Sequence, residues 1–122
     1  MNTWLLVAAG GAAGALARYG LGLLPVWPGA GWPWPTLAAN LSGCLLIGCL
    51  SAALQGGASE GWRLLLGVGL LGGFTTFSAF SLETLRMIER APLAGLAYAG
   101  VSVAGGVMLT ALGWLLVRRV LA

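Results

Sequence analysis

A chain of 122 residues of which 59% are hydrophobic and 7% charged cannot be a water-soluble domain, where about a quarter of residues carry charge, and it reads as an all-α integral membrane protein. It contains no lysine, aspartate or histidine. Those residues supply most general bases, metal sites and proton relays, so the composition speaks against hydrolytic or redox chemistry and against an enzyme.

The net charge of +3 comes from six arginines and three glutamates. They are scattered along the chain, which leaves no patch for nucleic acid or anionic lipid. Cys44 and Cys49 lie on one expected helix about 140° apart, a placement that suits neither a metal pair nor an intrahelical disulfide. They read as small buried hydrophobes.

Four apolar spans are expected, at about 4–24, 36–54, 62–83 and 93–117. The first is long enough to cross a hydrocarbon core of about 30 Å at about 1.5 Å per residue, and too long, with no basic residues before it, for a secretory h-region. Gly10, Gly14, Arg18 and Gly22 recur every four residues along it. Glycines in a stripe allow close helix approach, and Arg18 belongs near an interface or against protein because a charge in lipid is costly. Pro25 to Pro35 holds four prolines and Trp27, Trp32 and Trp34, the makings of an interfacial loop.

The second span puts Thr36, Asn40, Gly43, Cys44 and Ile47 on one face. An amide at membrane depth must find hydrogen-bond partners or cost several kcal/mol, so Asn40 is either interhelical glue or a pore-lining donor. Gln55 to Gly61 is a short polar turn.

The third span departs from the rest. Within Gly69 to Ser81 it carries Gly72–Gly73 and Thr75–Thr76, where a plain membrane helix would carry branched aliphatics. Glycine costs about 1 kcal/mol relative to alanine inside a helix, and irregular backbone at membrane depth survives only against protein or a polar cavity. A break in mid-membrane would free carbonyls able to ligate a hard cation; the alternative is a glycine-softened helix built for close packing. Past this point Phe77, Phe80 and Ser81 share a helical face. Glu83 is placed to pair with Arg86 or Arg90 as an ordinary surface ion pair.

The fourth span opens at Pro92, ends at Arg118–Arg119, and spaces Tyr98, Ser102, Gly106 and Thr110 by four; for each residue taken singly, packing is the simpler reading. With four spans both termini share a side. Arg63, Arg118 and Arg119 then fall on one side and Arg18, Arg86 and Arg90 on the other. Because the Lys/Arg bias orients a membrane protein, this balance favours insertion both ways round, and four short helices enclose a pathway more easily as an oligomer, such as an antiparallel dimer.

The motifs Gly10–Gly11–Ala12–Ala13–Gly14–Ala15–Leu16–Ala17–Arg18–Tyr19, Thr36–Leu37–Ala38–Ala39–Asn40–Leu41–Ser42–Gly43 and Gly72–Gly73–Phe74–Thr75–Thr76–Phe77–Ser78–Ala79–Phe80–Ser81–Leu82–Glu83 together resemble the three signatures of the Fluc (CrcB) fluoride channels, in order and at family spacing. The resemblance implies an antiparallel dual-topology homodimer of four-helix subunits in the cell inner membrane, with two fluoride pores and one structural, untransported Na⁺ at the dimer centre. It implies Na⁺ ligation by the backbone carbonyls of Gly72 and Thr75, pore phenylalanines at Phe77 and Phe80, a polar pore residue at Asn40, and a fourth-helix polar track through Tyr98 and Ser102. Gly106 stands where that track often has a hydroxyl, leaving Thr110 or water as the substitute, and Ala79 stands where many members have Thr. Thr76, Ser81, Glu83 and Arg18 are further candidates. The implied role is passive fluoride efflux after acid-driven entry of HF. A four-span multidrug exchanger is the alternative, but it is expected to carry a carboxylate in its first helix, and this chain has none there. A purely structural membrane oligomer is the third reading.

Overall fold

The computed structural model describes residues 2–28, 31–57 and 59–121. The expected loop at 25–35 and turn at 55–61 include Gly29, Ala30 and Ala58, which lie outside the described residues. Four helical stretches are long and apolar enough to cross a membrane: Thr3–Gly22, Trp34–Gly56, Glu60–Arg90 and Pro92–Leu121.

Local chemistry sets their ends. Asn2 caps the first helix, its side chain accepting from the Trp4 N–H at 2.9 Å, which satisfies one of the donors a helix N-terminus leaves free. At the other end Trp27 donates its indole N–H to the Leu21 carbonyl at 3.0 Å, so the following segment folds back onto the helix. The second helix starts at Trp34 with Pro35 in its first turn, where a missing N–H costs nothing. It closes through the tighter turn Leu54–Gly56 and Gly57, whose φ of +91° suits glycine. The fourth helix runs from Pro92 to Leu121 and includes Arg118 and Arg119 instead of ending at them; basic residues in the last turn suit the negative end of the helix dipole.

The third stretch is uneven. Arg63–Leu71 is wound as a π-helix and Gly72–Phe74 is a single α-turn. Thr75 (φ −84°, ψ 156°) and Thr76 (φ −149°, ψ 120°) are extended. The α-helix Phe77–Arg90 then begins under a cap from Thr76, whose hydroxyl accepts from the Ala79 N–H at 3.2 Å. The glycines are therefore helical and the threonines are not, in keeping with the preference of β-branched side chains for extended backbone.

Glycines pack the helices in two parallel pairs. In the first pair, a Cβ added to Gly10 would collide with the Leu65 carbonyl, one at Gly14 with the Leu70 carbonyl, and one at Gly73 with the Gly11 carbonyl. Gly22, expected on the same stripe, has nothing within 4 Å. In the second pair, Gly48 lies against the Thr110 carbonyl and Gly113 against the Leu45 carbonyl. Such contacts replace the hydrophobic drive that lipid removes. Large side chains such as Leu93, Val107, Met108 and Val120 point outward, which gives the bundle an apolar exterior.

Candidate functional site

An open groove of about 750 Å³ runs between the second helix, the third stretch on both sides of Thr75–Thr76, and the fourth helix. Its wall includes Asn40, Cys44, Thr75, Phe77, Phe80 and Ser102, and none of its lining residues is charged.

Asn40 organises one side. Its Oδ1 accepts from the Thr76 N–H at 2.7 Å, and its Nδ2 donates to the Thr76 carbonyl at 3.0 Å. The amide joins the second helix to the extended pair and still lines the groove, with one N–H hydrogen uncommitted. Gly43 allows this approach, since a Cβ there would collide with the Thr75 Cγ2.

The same bond changes the carbonyls. In a continuous helix the Thr76 N–H would donate to the Gly72 carbonyl and the Ala79 N–H to the Thr75 carbonyl. Both donors are diverted, one to Asn40 and the other to the Thr76 hydroxyl. The intervening Gly73 carbonyl accepts from Arg18 Nε at 3.4 Å, so Arg18 faces protein. The Leu71 carbonyl keeps the Thr75 N–H at 3.0 Å and also takes the Thr75 hydroxyl at 2.9 Å.

The rings of Phe77 and Phe80 lie with centroids 5.6 Å apart. Phe77 is 77% exposed. Behind Phe80, also at 5.6 Å, sits Tyr98, fully buried and in edge contact with Trp32. Tyr98 is therefore not on the groove wall where the fourth-helix track would put it; Phe80 covers it.

The Tyr98 hydroxyl instead donates to Glu83 Oε2 at 3.1 Å, and the Thr36 hydroxyl donates to Glu83 Oε1 at 2.8 Å. This corrects the expected surface pairing of Glu83 with Arg86 or Arg90. Among the described residues the one salt bridge is Arg63 to Glu60, and the Glu83 carboxylate turns inward because two hydroxyls reach it there. Ser81 donates back to the Phe77 carbonyl at 2.9 Å and stays off the groove wall. Ser102, Gly106 and Thr110 do line the groove. Cys44 and Cys49 are both only half-buried, contrary to their reading as buried hydrophobes, and Cys44 faces the groove.

Some features left no readable mark in the sequence. The π-wound run shows only as a glycine-rich apolar stretch. The Thr36–Glu83–Tyr98 network joins residues far apart in the chain, whose separate spacings suggested packing or surface pairing.

Four membrane-length helices, with an uncharged groove between the last three, define a small multi-pass membrane protein. The family description CrcB-like protein, Camphor Resistance (CrcB), matches residues 5–114. A protein of Phenylobacterium zucineum named fluoride-specific ion channel FluC is 56% identical, with all of both chains covered. Proteins of the same name are 52% identical in Caulobacter sp. strain K31, with 98% of each chain covered, and 49% identical in Thermus thermophilus, with 93% of this chain and 94% of that one covered. The chain belongs to the CrcB family, as its three motifs indicated.

Proposed function

We propose that the chain is a passive fluoride-selective channel that lets F⁻ leave the cytoplasm across the inner membrane. Its relatives' shared name points to fluoride, and one observation carries the reading here: the groove wall joins two phenylalanines, an amide and hydroxyl-bearing residues, and bears no charge. A fixed cation would hold so small an anion too tightly, whereas conduction needs sites strong enough to enter and weak enough to leave. Aromatic edges carry partial positive charge, and a free amide N–H adds a moderate donor. An inside-negative potential supplies about 2.3 kcal/mol per 100 mV toward expulsion, so no coupling ion is required.

The functional unit in this reading is an antiparallel homodimer whose two copies insert oppositely. The exposure of Phe77 and the open side of the groove support it, since a second subunit would complete the wall. The Gly72 and Thr75 carbonyls fit a structural Na⁺ near the dimer centre: neutral oxygens suit a hard monovalent cation, and both carbonyls have lost their helical donors. When bound, the ion would hold the two interrupted spans together electrostatically. In this arrangement the extended pair lies at mid-membrane.

The multidrug-exchanger alternative needs a titratable carboxylate facing its pathway. Glu83 is engaged by Thr36 and Tyr98 outside the groove lining, so that reading has no residue to carry it. Purified protein in liposomes tests the choice. Rapid fluoride efflux, with chloride excluded and no drug-driven proton flux, is the expected result. Efflux of a cationic drug against protons, or no ion flux at all, contradicts it.

A further inference from the structure

We infer that Cys44 is a rung of the polar wall of the fluoride path, its thiol filling the gap that Gly106 leaves between the hydroxyls of Ser102 and Thr110. The inference rests on the channel reading above and extends it to a residue outside the family motifs.

Ser102, Gly106 and Thr110 follow one another turn by turn along the fourth helix, and all three line the groove. The first of them has its hydroxyl closed off: Ser102 Oγ is enclosed and finds no partner in hydrogen-bond geometry, which is costly in apolar surroundings. Thr110 is held in register by its hydroxyl, which lies 3.0 Å from both the Gly106 and the Cys44 carbonyls.

Between these two hydroxyls the fourth helix offers only a glycine. The second helix supplies what is missing. A Cβ built on Gly106 would sit 3.1 Å from Cys44 Sγ, so the sulfur stands next to the place a side chain at 106 would take, and Cys44 faces the same groove. A thiol is a weak S–H donor. It is also soft and ionisable, and so open to thiophilic cations where it meets solvent. Cys49 is the built-in control: its sulfur packs 3.0 Å from a would-be Cβ on Gly113, and it does not line the groove.

Fluoride efflux from liposomes in chloride-free solution, with and without silver ion, tests this. Silver replaces the thiol proton to form an S–Ag bond, so it should stop efflux through the wild type and through Cys49→Ala but not through Cys44→Ala. Without silver, Cys44→Ala should lose about three- to tenfold in rate, the range that one neutral hydrogen bond carries. Cys44→Ser should recover most of that loss. The double variant Cys44→Ala/Gly106→Ser moves the hydroxyl to the fourth helix and should recover it too, whereas Cys44→Ala/Gly106→Ala, which restores bulk without a donor, should not. A conducting wild type that ignores silver, or equal recovery by both double variants, overturns the inference alone. A folded wild type that passes no fluoride overturns the channel reading and this inference with it.

Discussion

Asn40 and Thr76 hold each other by both ends of the side-chain amide, the Thr76 N–H lying 2.7 Å from Oδ1 and its carbonyl 3.0 Å from Nδ2. One side chain thus replaces the two backbone partners that Thr76 gives up by being extended. It also diverts the donor that would have covered the Gly72 carbonyl, while the Thr76 hydroxyl takes the Ala79 N–H that would have covered the Thr75 carbonyl.

Replacing Asn40 by Ala leaves both Thr76 groups without that partner. At about 1–3 kcal/mol for each orphaned group, the loss should come to about 2–6 kcal/mol, read as a fall in thermal stability in detergent. Asn40→Asp can still accept from the N–H but sets an oxygen against the Thr76 carbonyl. That repulsion should leave Asn40→Asp nearly as destabilised as Asn40→Ala. Unchanged melting temperatures for both variants would show that the clasp does not govern the fold.

Glycine substitutions separate contact from mere composition. Gly48→Ala and Gly113→Ala each drive a methyl into a backbone carbonyl of the partner helix and should cost about 1–3 kcal/mol or more. Gly100 has nothing within 4 Å, so Gly100→Ala should be neutral or gain up to about 1 kcal/mol in helix propensity. Melting temperatures in one detergent compare the three; equal effects would mean the second and fourth helices do not pack through these positions.

Much of this was legible from spacing. The four-residue stripe through Gly10, Gly14 and Arg18 does face the third stretch, and Asn40, Gly43, Cys44 and Ile47 share the groove wall as a 3.6-residue period requires. The irregular segment could be placed within a few residues because paired glycines and threonines are poor helix formers. Which of them would leave the helix could not be read, because it was decided by a tertiary bond from Asn40. Glu83 was misread for a related reason: its neighbours in sequence are arginines, while its partners in space, Thr36 and Tyr98, are 47 and 15 residues away. Tyr98 kept its four-residue spacing from Ser102 yet lies behind a ring that spacing alone does not show.

A structural Na⁺ on the Gly72 and Thr75 carbonyls, as proposed above, would make assembly depend on the cation. Exchanging Na⁺ for a large organic cation should weaken the dimer and slow fluoride flux, and returning Na⁺ should restore both. Because the proposed ligands are backbone oxygens, Thr75→Ala should retain the dependence, whereas a bulky side chain at Gly72, which has room within its own chain, should abolish it by crowding the proposed ion. Indifference of both readouts to the cation would remove the ion from the account.

The three-against-three division of arginines predicts both orientations in one membrane. A C-terminal tag probed from each side should label two populations. All tags on one side would contradict dual insertion.

The claim at the centre of the account is that fluoride travels along the groove against the ring edges of Phe77 and Phe80. The most direct measurement is fluoride efflux through Phe80→Ile protein that has been shown to fold and dimerise as the wild type does. Isoleucine keeps apolar bulk but has no positive edge, so the account predicts that flux collapses by at least about tenfold, a loss on the scale of about 1.4 kcal/mol in contact energy. If Phe80 served only as packing, Phe80→Ala would be the damaging change, through the cavity it leaves, and Phe80→Ile would conduct nearly as well as the parent. A correctly assembled Phe80→Ile dimer with normal fluoride flux would contradict the proposed path.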